Sequence, residues 1–244
     1  MKFIKNRIFR DLTKRLNHLE AALLAFIDSP VYRSGSHAGF NGQKGRKDIF
    51  SDLIKTYRFQ YLIETGTYLG DTAGYMAETS GLPVISCEQD RMFHAMAKMR
   101  LKEIPSISLH HLDSRRFLEH LRRDTGIPGH ECFIYLDAHW GKDCPLREEV
   151  AIISENWERF IVMIDDFQVP GDNGYRYDRY GLFFKLNLPL LRPIIKKFGL
   201  RAFSPSMPSG DESKKDPRGC VILTRNNAFA EPLYALPSLR SHVL

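Results

Sequence analysis

Cysteine is scarce and scattered: Cys87, Cys132, Cys144 and Cys220 form no CxxC pair in 244 residues. That spacing argues against a cysteine zinc site and a disulfide framework, and it fits thiols kept reduced. No apolar run approaches the roughly 18 residues that a membrane-spanning helix needs. The opening MKFIKNRIFR lacks the continuous apolar stretch and small-residue cleavage site of a secretory signal. A cytoplasmic setting is the resulting expectation. The GxGxxG turn, the phosphate-binding loop and a Ser-His-Asp spacing are all missing. Excess charge is missing too from most of the chain. Beyond residue 48 there are 25 bases and 25 acids. A body bound to nucleic acid would carry basic stripes, so no nucleic-acid partner is expected.

The whole net charge of +6 sits in residues 1–48, which hold ten Lys or Arg and four acids. Within that head, Leu12, Leu16, Leu19, Leu23 and Phe26 are spaced as one apolar stripe on a helix. Such a stripe docks on the domain, pairs with a second copy as a homodimer, or makes weak contact with an anionic membrane surface. Asp28-Ser29-Pro30 ends it, and the Gly-rich polar stretch 33–47 reads as a linker. Two regions are therefore expected: an amphipathic helix with its linker over 1–47, and a catalytic domain over 48–244.

From residue 48 onward, helix and strand patterns alternate. Helices are expected at 48–57, 71–80, 91–103, 114–122 and 145–156. Strands are expected at 59–65, 83–88, 107–112, 132–137 and 160–165. Strands separated by helices imply a parallel sheet covered on both faces. A helix near 181–198, a strand near 201–204, a polar loop and the strand CVILTR then add an antiparallel hairpin. The fold class is α/β, a Rossmann-like sheet of seven strands flanked by helices.

In an open parallel sheet, ligands bind beyond the carboxyl ends of the strands. All five strand ends here carry acid: Glu64, Glu88, Asp113, Asp137 and the pair Asp165-Asp166. Clustered carboxylates repel unless cations or hydroxyls partner them, so stability alone explains them poorly. The first turn reads Glu64-Thr65-Gly66-Thr67-Tyr68-Leu69-Gly70-Asp71-Thr72. Its glycines permit close backbone approach and a tight helix entry. An acid before the first glycine suits a ligand bearing an amino group or a sulfonium, and does not suit a phosphate. Glu88, 24 positions after Glu64, stands where a carboxylate accepts both ribose hydroxyls of a nucleotide. Asp113-Ser114 can bind an adenine amino group, cap the following helix, or both.

With these residues the chain resembles the class I S-adenosylmethionine (SAM)-dependent methyltransferases over roughly residues 48–225. ExGxxxG and the acids ending strands two, three and four carry the likeness. LDAHW and IDDF resemble the metal-dependent macrocin O-methyltransferases, which act on sugar hydroxyls. The resemblance implies SAM as cofactor, held by Glu64, Thr65, Gly66, Thr67, Gly70, Thr72, Glu88, Asp113, Ser114 and Asp137. It implies Mg²⁺ on Asp137, Asp165 and Asp166. A dication favours deprotonation of a poor nucleophile such as a sugar hydroxyl, and His139 is the candidate base beside Asp137. The subgroup's base lies three residues after the strand-four acid, whereas His139 lies two after. Trp140 can stack on adenine or cap the core. The aromatic loop after the acid pair, with Tyr175, Tyr177 and Tyr180, is the candidate lid over a small polar acceptor such as a sugar or polyol. Asn41-Gly42-Gln43 is placed to fold over the methionine end of SAM. The competing readings are a nicotinamide-dependent oxidoreductase and a non-catalytic nucleotide-binding module on the same sheet.

Overall fold

A computed structural model of the chain describes residues 17, 20, 21, 23, 24, 38–139, 143–180 and 184–242. The N-terminal stripe and Trp140 thus lie outside the described residues, except for Leu23, which is helical and 47% exposed.

Five apolar segments become parallel strands: β1 (Tyr61–Thr65), β2 (Val84–Cys87), β3 (Ile107–His110), β4 (Cys132–Leu136) and β5 (Phe160–Ile164). β4 and β5 are buried along their whole length, as a strand covered on both faces must be. The tail supplies β6 (Arg179–Tyr180), β7 (Phe184–Lys185), β8 (Leu200–Pro205), β9 (Val221–Arg225) and β10 (Leu239–His242). The main sheet runs β10-β8-β9-β5-β4-β1-β2-β3, and β6-β7 form a separate hairpin. β1 lies between β2 and β4. The chain therefore leaves β1 in opposite directions, and a crevice opens at the carboxyl tips.

Among the described residues between 38 and 242, helices α1 (Lys44–Thr56), α2 (Asp71–Ser80), α3 (Arg91–Arg100), α4 (Ser114–Asp124), α5 (Leu146–Asn156) and α6 (Leu188–Phe198) cover the sheet. Ile49, Phe50 and Leu53 of α1, Met76 of α2 and Ala97 of α3 share one core with Leu62, Phe133, Tyr135 and Met163. Phe117 and Leu121 of α4, Val150 and Ile153 of α5 and Leu191 of α6 build the other core against Ile63, Ile134 and Val162. Side-chain caps set several starts: Asp90 accepts from the amides of Met92 and Phe93, and Asp113 from those of Arg115 and Arg116.

Three expectations need correction. The sheet has eight strands, because β10 pairs antiparallel with β8 beyond the expected hairpin. Its sequence, LRSH, is too polar to show a strand pattern. The helix expected from 181 starts at Leu188, where Asn187 caps it, and the preceding residues make the β6-β7 hairpin. The linker expected up to residue 47 is in part domain core. Helix α1 begins at Lys44, and Phe40, Gln43 and Arg46 are all buried.

Candidate functional site

The first turn is built for close approach. Gly66 has φ 84°, and a Cβ there would collide with the carbonyl of Asp137. The amides of Gly66 and Thr67 donate to the Cys87 carbonyl at 2.9 and 3.0 Å, and the Asp137 amide donates to the Thr65 carbonyl at 3.0 Å. The tips of β1, β2 and β4 are thereby tied together. Gly70, at φ 82°, opens α2, and Leu101 packs where its Cβ would sit. Thr65 is buried, and Thr72 uses its hydroxyl to accept from the Phe40 amide at 3.1 Å. Glu64 lies beneath the turn and accepts from the Ser86 hydroxyl at 2.5 Å, and Ser86 and Thr67 share a further hydroxyl bond. Burial pushes the Glu64 carboxyl up to about 8, Glu88 and Asp71 adding to the rise and Ser86 opposing it.

Glu88 is held by two backbone amides, Tyr68 onto Oε2 and Asp90 onto Oε1, both at 2.8 Å. Asp113 caps α4 and pairs with Arg115 at 2.9 Å, which holds its carboxyl below the usual range. Glu88, Asp113, Ser114 and Gly66 line one open cavity together with Tyr68 and Phe93. The rings of Tyr68 and Phe93 lie 4.5 Å apart. Three of the expected cofactor-binding strand tips thus meet around one space. Glu64, Thr65, Thr67, Gly70, Thr72 and Asp137 do not line it.

The two acids after β5 share Arg46 and differ in their other partners. Asp165 is fully buried and ion-paired to Arg46, itself only 1% exposed. It also accepts from the Tyr135 hydroxyl at 2.5 Å and from Asn41 Nδ2 at 3.2 Å. Asp166 adopts φ 51°, a left-handed conformation that costs energy outside glycine. Its carboxylate turns to Arg218 Nε at 2.5 Å, and Arg218 also pairs with Asp178. Gln43 fixes Arg218 from the other side: its Nε2 donates to the Arg218 carbonyl at 2.9 Å, and its Oε1 accepts from the Arg218 amide at 2.5 Å.

Asp137, His139 and Asp166 point ligand atoms at one another, all within 4.8 Å. His139 is 2% exposed, and neither ring nitrogen has a hydrogen-bond partner among the described residues. Burial lowers its pKa, with Asp166 and Asp178 opposing. Burial raises that of Asp137 well above the carboxylate range, helped by Asp165 and Asp166. Of the lid tyrosines, Tyr180 donates to the His139 carbonyl. Tyr175 is buried with its hydroxyl on the Met207 carbonyl at 3.0 Å, and Tyr177 accepts from Arg179 at 2.6 Å. Arg46 and Arg218 were missed from sequence. A signal existed for the first: Arg46 precedes Ile49, Phe50 and Leu53 by three, four and seven residues, on the same buried helix face.

No protein-family model matches the chain, and no curated protein matches its sequence. Solved structures do match in fold. The O-methyltransferase of Bacillus cereus, in complex with SAH, superposes at TM-score 0.54 with 13% identity, covering 85% of this chain and 90% of that one. The Streptomyces achromogenes O-methyltransferase involved in tomaymycin synthesis, in complex with SAM, superposes at 0.53 with 15% identity, covering 86% and 90%. The chain therefore has the α/β Rossmann-like fold of the methyltransferases, with a mostly parallel sheet and antiparallel C-terminal strands.

Proposed function

We propose that this protein is a SAM-dependent O-methyltransferase acting on a hydroxyl of a small polar acceptor such as a sugar. The observation that carries the reading is the convergence of Glu88, Asp113-Ser114 and the Gly66 turn on one cavity at the switch point. Glu88, already fixed by two amides, presents a carboxylate to ribose hydroxyls. Asp113 and Ser114 face an adenine edge, and Tyr68 and Phe93 offer aromatic faces beside it. Glu64 lies beneath the turn, where its hydrogen bond with Ser86 ties the tips of β1 and β2. The O-methyltransferases that share the fold, with SAM or SAH in their structures, point the same way. A nicotinamide oxidoreductase is less favoured, because the first turn has an acid where a pyrophosphate would need free amides.

When bound, SAM supplies an electrophilic methyl group, and a divalent cation supplies the positive charge that favours a deprotonated acceptor. The chain's own part is to orient the acceptor, exclude water and take up its proton. His139, 2% exposed with both ring nitrogens unpartnered among the described residues, can receive that proton or hold a cation, not both. Asp165 does not fit as a metal ligand, since Arg46, Tyr135 and Asn41 already engage both of its oxygens. Asp137, His139 and Asp166 do fit a cation, because their ligand atoms converge and the imidazole is unpartnered. Isothermal titration with SAM and SAH tests the reading. Micromolar binding of both is expected. A folded sample that binds neither would overturn it.

A further inference from the structure

We infer that the cation site is a mixed nitrogen–oxygen site in which His139 is a ligand and Arg46 has displaced Asp165, so that a first-row transition ion binds in preference to Mg²⁺. The inference rests on the methyltransferase reading only for the identity of the crevice.

Three observations carry it. Asp137, His139 and Asp166 bring ligand atoms within 4.8 Å of one another, the spacing of groups around a shared centre. His139 is 2% exposed with both ring nitrogens unpartnered among the described residues. A buried polar group without a partner is unfavourable, so a ligand that uses it is physically favoured. Asp165, the group expected to complete an all-oxygen set, lies outside that trio and is neutralised by Arg46. A guanidinium cannot release its proton near neutral pH, so this neutralisation is permanent. Asp166 stays in the set, although Arg218 binds its Oδ1 and Arg46 lies 3.6 Å from the same oxygen.

The donor chemistry sets the ion. Mg²⁺ favours oxygen ligands throughout, whereas imidazole suits the later divalent ions, whose affinities rise from Mn²⁺ through Co²⁺ to Ni²⁺. A nitrogen that holds a cation cannot also take a proton. Deprotonation of the acceptor then falls to a carboxylate or to solvent, and His139 serves as a positioning residue for the ion.

The test titrates the full chain, freed of metal, with Co²⁺ alone and with Mg²⁺ alone, by calorimetry and by the visible absorption of Co²⁺. SAH is titrated into the same samples. Wild type is expected to bind Co²⁺ at least about tenfold more tightly than Mg²⁺. His139→Ala should lose roughly 10–100-fold in Co²⁺ affinity and change the Co²⁺ spectrum, while Mg²⁺ affinity changes little. His139→Gln, which keeps a buried polar side chain, should show the same loss and guards against a folding defect. Unchanged Co²⁺ affinity and spectrum in both folded variants would overturn the inference, as would equal affinity of wild type for the two ions or no binding of either. SAH binding alongside any of those results would leave the methyltransferase reading standing, whereas loss of SAH binding alone would sink that reading and not this one.

Discussion

Replacing Arg46 by Met should be among the most damaging substitutions in the chain, although Arg46 belongs to no expected motif. The exchange keeps an unbranched apolar stem, shorter than that of arginine, and deletes the charge. Arg46 is 1% exposed, pairs with the fully buried Asp165, and donates to the carbonyls of Arg218 and Gly219 at 2.9 and 3.2 Å. After the exchange Asp165 keeps the Tyr135 hydroxyl, the Asn41 side-chain amide and the Asp166 backbone amide but loses its counter-charge. Removing one partner of a buried ion pair costs about 3–5 kcal/mol. A domain's total stability is about 5–15 kcal/mol. At about 2–4 °C per kcal/mol for a chain of this size, Tm should fall by roughly 6–20 °C. Urea unfolding followed by circular dichroism measures the loss. The double variant R46M/D165N removes both charges and should be less destabilised than the sum of the single variants by about 0.5–3 kcal/mol. A single-variant loss below about 1 kcal/mol, or strict additivity, would refute the claim that Arg46 is the counter-charge of Asp165.

Other consequences are more local. Glu149, fully buried on α5, has its carboxyl raised to about 7, chiefly by burial, with Ser114 and Thr65 opposing. A carboxyl raised on folding costs stability as pH climbs from about 4.5 toward 7 and beyond, so E149Q should stabilise the protein above pH 7 and do little at pH 4. Equal Tm gains at pH 5 and pH 8 would contradict this. Gly66→Ala forces a side chain onto the Asp137 carbonyl at φ 84°, so SAH affinity should fall at least tenfold, and retention of binding by calorimetry would refute the close-approach role. Glu88→Gln keeps the shape but loses the charge, and SAH affinity should drop by roughly 10–100-fold, the worth of a charge-assisted pair of hydrogen bonds. A change under threefold would remove Glu88 from the ribose site.

Much of the sheet could be read from sequence because β1, β4 and β5 are short apolar runs that end abruptly in acid. That boundary marks both the strand and its functional tip. Helix α2 was legible to its ends, Asp71 and Ser80, since glycines flank it on both sides. What escaped depends on pairings distant along the chain. Arg46 lies 119 positions before Asp165, and its neighbours Gly42, Gln43 and Gly45 look like linker. Gln43 binds Arg218 across 175 positions, and no local pattern encodes that. The split of Asp165 from Asp166 was equally hidden. Two adjacent aspartates look alike in sequence, yet around a shared Arg46 the first adds Tyr135 and Asn41 and the second adds Arg218. The tyrosines after β5 read as a lid by composition, but Tyr175 is spent on the core.

The most direct test of the central claim is a crystal structure of the complex with SAH. The ribose should lie against Glu88, the adenine beside Asp113 and Ser114, and the sulfur should face Asp137. A ligand seated in any other cavity, or a ribose turned away from Glu88, would contradict the account.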